Sequence, residues 1–435
     1  MTTAPADQEP VGPAGSDSAP TAGSAPTVGS AGRALPAADG FPLSPVTDYY
    51  GLFAAVDGED LEAWQAAHAL TEPILARINE AWEAAEYPMD LVRLLADSDL
   101  LTDGLDIPGH RRLSPLAAGL VTMEMSRIDG SMGTVVGVQA GLCARSIALL
   151  GSQQQKEQWL PALASAEKLG AFALTEPDHG SDSVALETVA RREGNDWVIT
   201  GEKKWIGNGA NCDVSVVWAR VDDETDEKLH GQVSGFIVEQ HLDGYSADVI
   251  EGKLSLRAIH QAHIRMDGVR VPLDARLPEA RSFKDTGRVL AATRAGVAWG
   301  ALGHAIACFE IAAQYAKDRT QFGRPLAKSQ HVQVRLADML QTLVGAQLHC
   351  FRVAQLDEAG TLTPVQASMA KVHCTRAARS VAAEARDLLG GVGILLENHV
   401  IRHMADIEAL HTYEGTDTIQ SLLVGREIAG VSAFA

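Results

Sequence analysis

Asp196-Trp197-Val198-Ile199-Thr200-Gly201 reads as a β-strand: a short β-branched run with one aromatic residue, entered from the turn pair Gly194-Asn195. Asp213-Val214-Ser215-Val216-Val217-Trp218 and Gly235-Phe236-Ile237-Val238 follow in the same manner, bounded by Gly, Asn and Asp. On either side of this block the apolar spacing is helical. Upstream, Leu61, Trp64 and His68 fall at i, i+3 and i+7, then Ile74, Ile78 and Trp82 at fourfold spacing, with Pro88 and Gly109 breaking the run. Downstream, Val332, Leu336, Met339, Leu343, Ala346 and Cys350 recur in threes and fours, and Gly323-Arg324-Pro325 and Gly360 to Pro364 mark helix breaks. The expected fold class is therefore α+β. A helical domain spans residues 46–169, a small β domain 170–281, and an antiparallel helical bundle 282–435. Residues 1–45 are almost all Ala, Pro, Gly, Ser and Thr with a few acids. Such a stretch buries too little surface to offset its chain entropy and is expected to form a disordered tail.

Of the 435 residues 46% are hydrophobic, enough for two or three domain cores. The formal net charge of −20 argues against nucleic acid and anionic membranes as partners, and any polyanionic ligand needs local cations to hold it. No window offers about 20 uninterrupted apolar residues, and Met1 is not followed by a basic patch and an apolar run, so neither a membrane span nor a secretory leader is expected. The five cysteines (Cys143, Cys212, Cys308, Cys350, Cys374) are scattered without CxxC spacing. They read as reduced, buried thiols of a cytoplasmic protein, with no metal site.

Five short stretches carry chemistry. Ala173-Leu174-Thr175-Glu176-Pro177-Asp178-His179-Gly180-Ser181-Asp182 sits where helix gives way to strand, and its Gly-Ser-Asp turn exposes amides and a hydroxyl suited to a phosphate or a flat cofactor's edge. Lys203-Lys204-Trp205-Ile206-Gly207-Asn208 lies next to a predicted strand and offers an indole to an aromatic ring. Arg319-Thr320-Gln321-Phe322-Gly323 pairs a guanidinium with a phenyl ring three residues on, a combination that grips a diphosphate or merely caps a helix. Leu389-Gly390-Gly391-Val392-Gly393 lets backbone approach a ligand. In Thr412-Tyr413-Glu414-Gly415-Thr416-Asp417-Thr418-Ile419-Gln420, Gly415 breaks the helix beside Glu414, so that a carboxylate can project into a cavity, and Thr416 can cap a helix from about Asp417. Singly, each is as readily a loop, a core tryptophan or a solvated acid; their order along the chain is not ordinary.

Together these motifs resemble the acyl-CoA dehydrogenase family from about Asp48 to Gly430, and within it the glutaryl-CoA dehydrogenase and plant short-chain acyl-CoA oxidase branch. The resemblance implies an N-terminal helical domain, a middle β domain, a C-terminal four-helix bundle, and FAD at their junction in a homotetramer. It implies FAD contacts for Phe172, Leu174, Thr175, Ser181, Trp205 and Gly207, and, across a subunit interface, for Arg319, Phe322, Gln330, Asp387, Gly390 and Gly391, with Thr416 and Thr418 besides. Ser181 and Arg294 match substrate-side positions and Glu414 the catalytic base that takes an α-proton, hydride passing to flavin N5. Relatives that carry the base elsewhere have it at the position of Thr293. The implied partners are an acyl-CoA substrate and an electron-transfer flavoprotein, within fatty acid metabolism.

Two departures bear on substrate and acceptor. Gly133 stands where glutaryl-CoA dehydrogenases carry the Arg that pairs with the distal carboxylate, so short monocarboxylic acyl groups are expected instead, unless another Lys or Arg reaches in. Gly207 stands where a Thr or Ser is usual, and its missing hydroxyl is expected to open room for oxygen. An acyl-CoA oxidase producing hydrogen peroxide is thus the second reading. A glutaryl-CoA dehydrogenase and a catalytically silent acyl-CoA-binding protein of the same fold are the others.

Overall fold

The computed structural model describes residues 42–433; the expected tail lies outside the described residues except for its last four. Its helices begin with α1 (Gly58–His68), α2 (Thr71–Ala84) and α3 (Met89–Asp97). Trp64, Ile74 and Ile78, picked out by spacing, are fully buried. α4 (Pro115–Ile128) starts at Ser114, whose hydroxyl accepts the Ala117 amide. Asp129 then breaks the helix: it is extended, and its carboxylate accepts the amides of Ser131 and Met132 to open α5 (Gly130–Val136). α5 passes through a π-helical stretch, Gly137–Ala144, into α6 (Arg145–Leu150), and α7 (Gln153–Ala164) follows behind a Ser152–Gln155 capping box.

Seven strands form the middle sheet: β1 (Gly170–Ala173), β2 (Val189–Glu193), β3 (Asp196–Gly207), β4 (Val214–Asp222), β5 (Val233–Glu239), β6 (Tyr245–Val249) and β7 (Gln261–Pro272). The order is β1-β4-β2-β3-β7-β6, with β5 on the other edge of β4. β2 and β3 form the hairpin over Gly194-Asn195, with Glu193 opposite Asp196. β3 does not stop at Gly201. That residue, at φ +150°, kinks the strand, and a register shift against β7 follows there rather than an end. The strand runs on through Lys203-Lys204-Trp205-Ile206-Gly207, so this motif lies inside a strand and not beside one.

The C-terminal helices are α8 (Phe283–Asp318), α9 (Gln330–Glu358), α10 (Pro364–Leu388), α11 (Val400–Thr412) and α12 (Asp417–Ala429). The first four form the bundle, and α12 lies along α10, joined by the Arg376–Asp417 ion pair. Between α8 and α9 a small hairpin, β8 (Thr320–Gln321) and β9 (Arg324–Pro325), carries Phe322 at its tip. Helical domain and bundle share one core, where the rings of Trp64, Phe53, Phe351 and Trp299 follow one another at centroid distances of 5.3, 4.9 and 5.6 Å. α8 approaches α4 so closely at Gly303 that a β-carbon there would lie 2.1 Å from the Met123 carbonyl oxygen. By length and hydropathy Gly130–Leu150 and Phe283–Asp318 would each suffice to cross a membrane, but 67% and 89% of their apolar windows are buried inside the protein.

Candidate active site

The first two motifs meet through a buried ion pair. Lys203 of β3 is fully buried; its ammonium donates to Glu176 Oε1 at 2.8 Å and to the Leu174 carbonyl at 3.1 Å. Glu176 also accepts the Glu187 and Thr188 amides and the Thr188 hydroxyl. Burial works to raise the Glu176 carboxyl, but Lys203 and these donors outweigh it and hold it down to about 2. The Lys204 amide donates to the Thr175 carbonyl at 2.8 Å, so Leu174-Thr175 is strapped along β3 just before Trp205.

Trp205 breaks the ladder. At φ +65° it sits in the left-handed region, the pairing to β7 slips between Lys204 and Ile206, and its indole stays 57% exposed. Folding of one chain leaves this large apolar face bare. Two residues on, Gly207 faces the π-helical stretch, and a β-carbon there would lie 2.8 Å from Val138 Cγ2. The room that the missing Thr or Ser hydroxyl was expected to open is therefore filled by a valine side chain.

Glu414 sits in the turn between α11 and α12 at φ +54°, followed by Gly415 at φ +85°. Its Oε2 is enclosed and has no hydrogen-bond partner, and the Nε of Arg294 is enclosed and unpartnered likewise. Burial pushes the Glu414 carboxyl above the ordinary carboxylate range, with Lys371, Arg294 and the Thr293 hydroxyl pulling against it. Burial lowers Arg294 from its usual value while Glu414 pulls it back. Thr416 caps α12 by accepting the Ile419 amide. The arrangement holds a proton acceptor of raised affinity beside a cation, with hydrogen-bonding capacity left over on both.

The remaining residues singled out in the sequence fall into a separate group. Phe172 and Leu174 are buried at the end of β1, and Ser181 is exposed on the following loop. Arg319, Gln330, Gly390, Gly391 and Thr418 are exposed, and Phe322 is wholly so. Asp387 is exposed and pairs with Arg335 of α9 at 2.8 Å. Among the described residues, none of Arg319, Phe322 and Gln330 makes a side-chain hydrogen bond to Trp205 or to the Glu414 turn. Lys371 and Val138 lie outside the five stretches, and Lys203 and Gln420 lie within them without a role assigned from sequence. The available signal was phase: Lys371 falls in step with Ala367, Ala370, Cys374 and Ala378, the buried face of α10.

Two further positions concern the substrate. Gly133 is not a vacancy, because a β-carbon there would lie 2.1 Å from Ser126 Oγ of α4. Gly141 stands between the site and a charged pair: its β-carbon position lies 3.9 Å from Thr293 Cγ2 and 3.2 Å from Asp103 Oδ2. Asp103 binds Arg145 at 2.6 Å.

Comparison with known proteins matches the chain to three families in succession: the acyl-CoA dehydrogenase N-terminal domain over residues 59–167, middle domain over 171–269 and C-terminal domain over 283–429. The mitochondrial short-chain specific acyl-CoA dehydrogenase of Bos taurus is 37% identical over 357 residues, which cover 81% of this chain and 84% of the relative. Two structures of glutaryl-CoA dehydrogenase from Mycobacterium smegmatis, one of them in complex with FADH2, superpose with TM-score 0.86 at 38% and 33% identity, covering 90% of this chain and 99% of theirs. A structure described as an electron transferring flavoprotein of Acidaminococcus fermentans superposes with TM-score 0.79 at 29% identity, covering 86% of this chain and 99% of that one.

Proposed function

The chain belongs to the acyl-CoA dehydrogenase family, and on that footing we propose that it oxidises short-chain monocarboxylic acyl-CoA thioesters to the trans-2-enoyl-CoA, with Glu414 as the base. It is an oxidoreductase of acyl-CoA that depends on FAD. The observation that carries the assignment of the base is Glu414 itself: an enclosed carboxylate oxygen without a partner, beside Arg294, in a turn held at positive φ. Its raised proton affinity suits it to take an α-proton from a thioester, itself a weak acid. The Glu414 amide makes no hydrogen bond among the described residues and is left to polarise the thioester carbonyl.

The residues present fit FAD. Trp205 and Phe322 offer flat apolar surfaces that a single chain does not cover. Phe172, Leu174, Thr175, Ser181, Trp205 and Gly207 would hold it from the β domain, with Thr416 and Thr418 from the Glu414 side. Arg319, Phe322, Gln330, Asp387, Gly390 and Gly391 would reach it from a second copy in a homotetramer. Support for that assembly is the exposure of Phe322, Val334, Leu348, Met369, Ile394 and Leu395 on the bundle side. When bound, FAD supplies the acceptor for the hydride that leaves the β-carbon.

The substrate class rests on charge. No cation stands at position 133, and Arg145, beyond Gly141, already pairs with Asp103, so the place where a distal carboxylate would be matched carries no dedicated cation. An electron-transfer flavoprotein is the proposed electron acceptor. Oxygen is the weaker alternative, since Val138 fills the space beside Gly207. Five buried free thiols support a reducing, cytoplasmic setting.

An anaerobic titration tests the reading. A yellow protein bleached by butyryl-CoA supports it. A protein that binds no FAD, or binds it and ignores every thioester, would turn the reading to a silent binding protein of the same fold.

A further inference from the structure

We propose that Lys371 is the positioning residue of this site: it holds the Tyr413–Glu414–Gly415 turn so that the Glu414 amide and carboxylate both face the acyl thioester. The proposal rests on the function inferred above and adds to it a residue of α10 that no sequence motif marks.

Lys371 is a lysine only 1% exposed, on the buried face of α10. A buried ammonium needs hydrogen-bond acceptors, and two main-chain carbonyls, those of Tyr413 and Gly415, accept from it. The carbonyl between them, of Glu414, accepts from Gln420 Nε2 at 2.6 Å. Three successive carbonyls are thus turned to donors on α10 and α12. In a planar trans peptide the N–H points opposite to its C=O. With the Tyr413 carbonyl on Lys371, the Glu414 N–H is directed away from Lys371, and it has no acceptor among the described residues. The ammonium therefore does more than fill a core position; it sets which way a peptide dipole points.

The turn needs such a clamp. Glu414 at φ +54° is a non-glycine residue in the left-handed region, a conformation that costs on the order of 1–3 kcal/mol and persists only where the surroundings impose it. Gly415 is pressed from the other side: a β-carbon there would lie 2.2 Å from Gln420 Nε2. The charges facing Lys371 are Glu414 from the turn between α11 and α12, Arg294 from α8 and Asp417 from α12, with His411 of α11 also near. Burial lowers Lys371 to about 8, with Glu414 pulling it up and Arg294 pushing it further down. In return Lys371 favours the ionised form of Glu414.

The test compares Lys371→Met and Lys371→Gln with the parent in the full-length FAD-loaded protein. Loss of the ammonium is expected to slow bleaching by butyryl-CoA by about 100-fold or more, with butyryl-CoA affinity changed by less than about 10-fold. The acid limb of the rate profile should move to higher pH, because the cation that favours ionised Glu414 is gone. The decisive readout needs no turnover. In a Glu414→Gln background, the infrared carbonyl stretch of bound butyryl-CoA is expected to lie below that of free butyryl-CoA, and to return toward it when Lys371→Gln is added. A Lys371 variant that folds and slows, yet keeps both the acid limb and the carbonyl shift, overturns the proposal and leaves Lys371 a structural lysine. So does one that matches the parent throughout. If the Met variant does not fold, the Gln variant carries the same measurements. Failure of the parent itself to bleach with any acyl-CoA would strike the proposed function instead, so the two failures are told apart.

Discussion

Val138 occupies the space in which Gly207 would carry a side chain, its Cγ2 lying 2.8 Å from the position of a β-carbon. The two residues come from different domains, one in a π-helical stretch and one at the end of a strand. A side chain at 207 and Val138 as it is placed therefore compete for the same space. Gly207→Ser alone should destabilise the protein by about 1–3 kcal/mol through overpacking, and adding Val138→Ala should recover most of it. Thermal melts of the four proteins of the cycle check this coupling.

The same contact predicts the fate of reduced protein in air. With butyryl-CoA and no other acceptor, the parent should consume oxygen slowly, and Val138→Ala should consume it at least several-fold faster. An oxygen electrode with peroxide detection distinguishes the outcomes. Fast uptake by the parent would favour the oxidase reading.

Glu414→Gln should bind butyryl-CoA within a few-fold of the parent and yet slow its bleaching by about 1,000-fold or more, the loss expected on removing a general base from an activated carbon acid. Because the carboxyl is raised by burial, the parent's kcat/KM should fall on acidification with an apparent pKa above the ordinary carboxylate value. Stopped-flow bleaching across pH measures both.

Glutaryl-CoA should bleach the protein far more slowly than butyryl-CoA, by about 100-fold or more, as the distal carboxylate would be buried without a partner. Gly133→Arg is not expected to repair this, since any side chain at 133 meets Ser126 Oγ. Parallel anaerobic titrations with the two thioesters decide the matter, and equal bleaching would sink the charge argument.

One buried cluster carries two opposed pH dependences of stability. Asp406 is raised to about 7 by burial and by Asp129, although the Leu256 amide, Arg402 and Trp82 oppose it. The native state thus holds that proton more tightly than the unfolded chain. Its contribution is full below about pH 4 and is lost as pH rises through about 7. His304 and His399 are lowered to about 3, chiefly by burial, so their unprotonated native state loses stability as pH falls below about 6.5 toward 3. Asp406→Asn should remove the loss that accompanies ionisation of Asp406, raising Tm at pH 8 relative to the parent more than at pH 5.

Much of this was readable in the chain. Strand and helix periods separated the three regions, and Gly415 with Thr416 marked a break between helices at Glu414, whose role as base came from the family resemblance. What stayed hidden depends on residues far apart in sequence. Gly201 looks like a strand end, yet β7 pairs beyond it and turns it into a kink. Lys371 looks like a surface lysine until its phase on α10 is compared with that of its alanine neighbours, and its partners lie more than 40 residues away. The Gly207–Val138 contact has no local signature at all.

The π-helical stretch carries a consequence of a different kind. A π-turn arises where a helix holds one residue more than α-geometry would place along the same length. Removing a residue from Gly137–Ala144 would let the helix relax to regular α-winding and rotate one flank against the other by roughly 100°. Val138 would then be turned away from Gly207 with its chemical identity unchanged. The steric guard beside Gly207 is thus encoded in helix length as much as in residue type. A relative could gain it through a single-codon insertion or lose it through a single-codon deletion, with no change of residue type at 138 or 207.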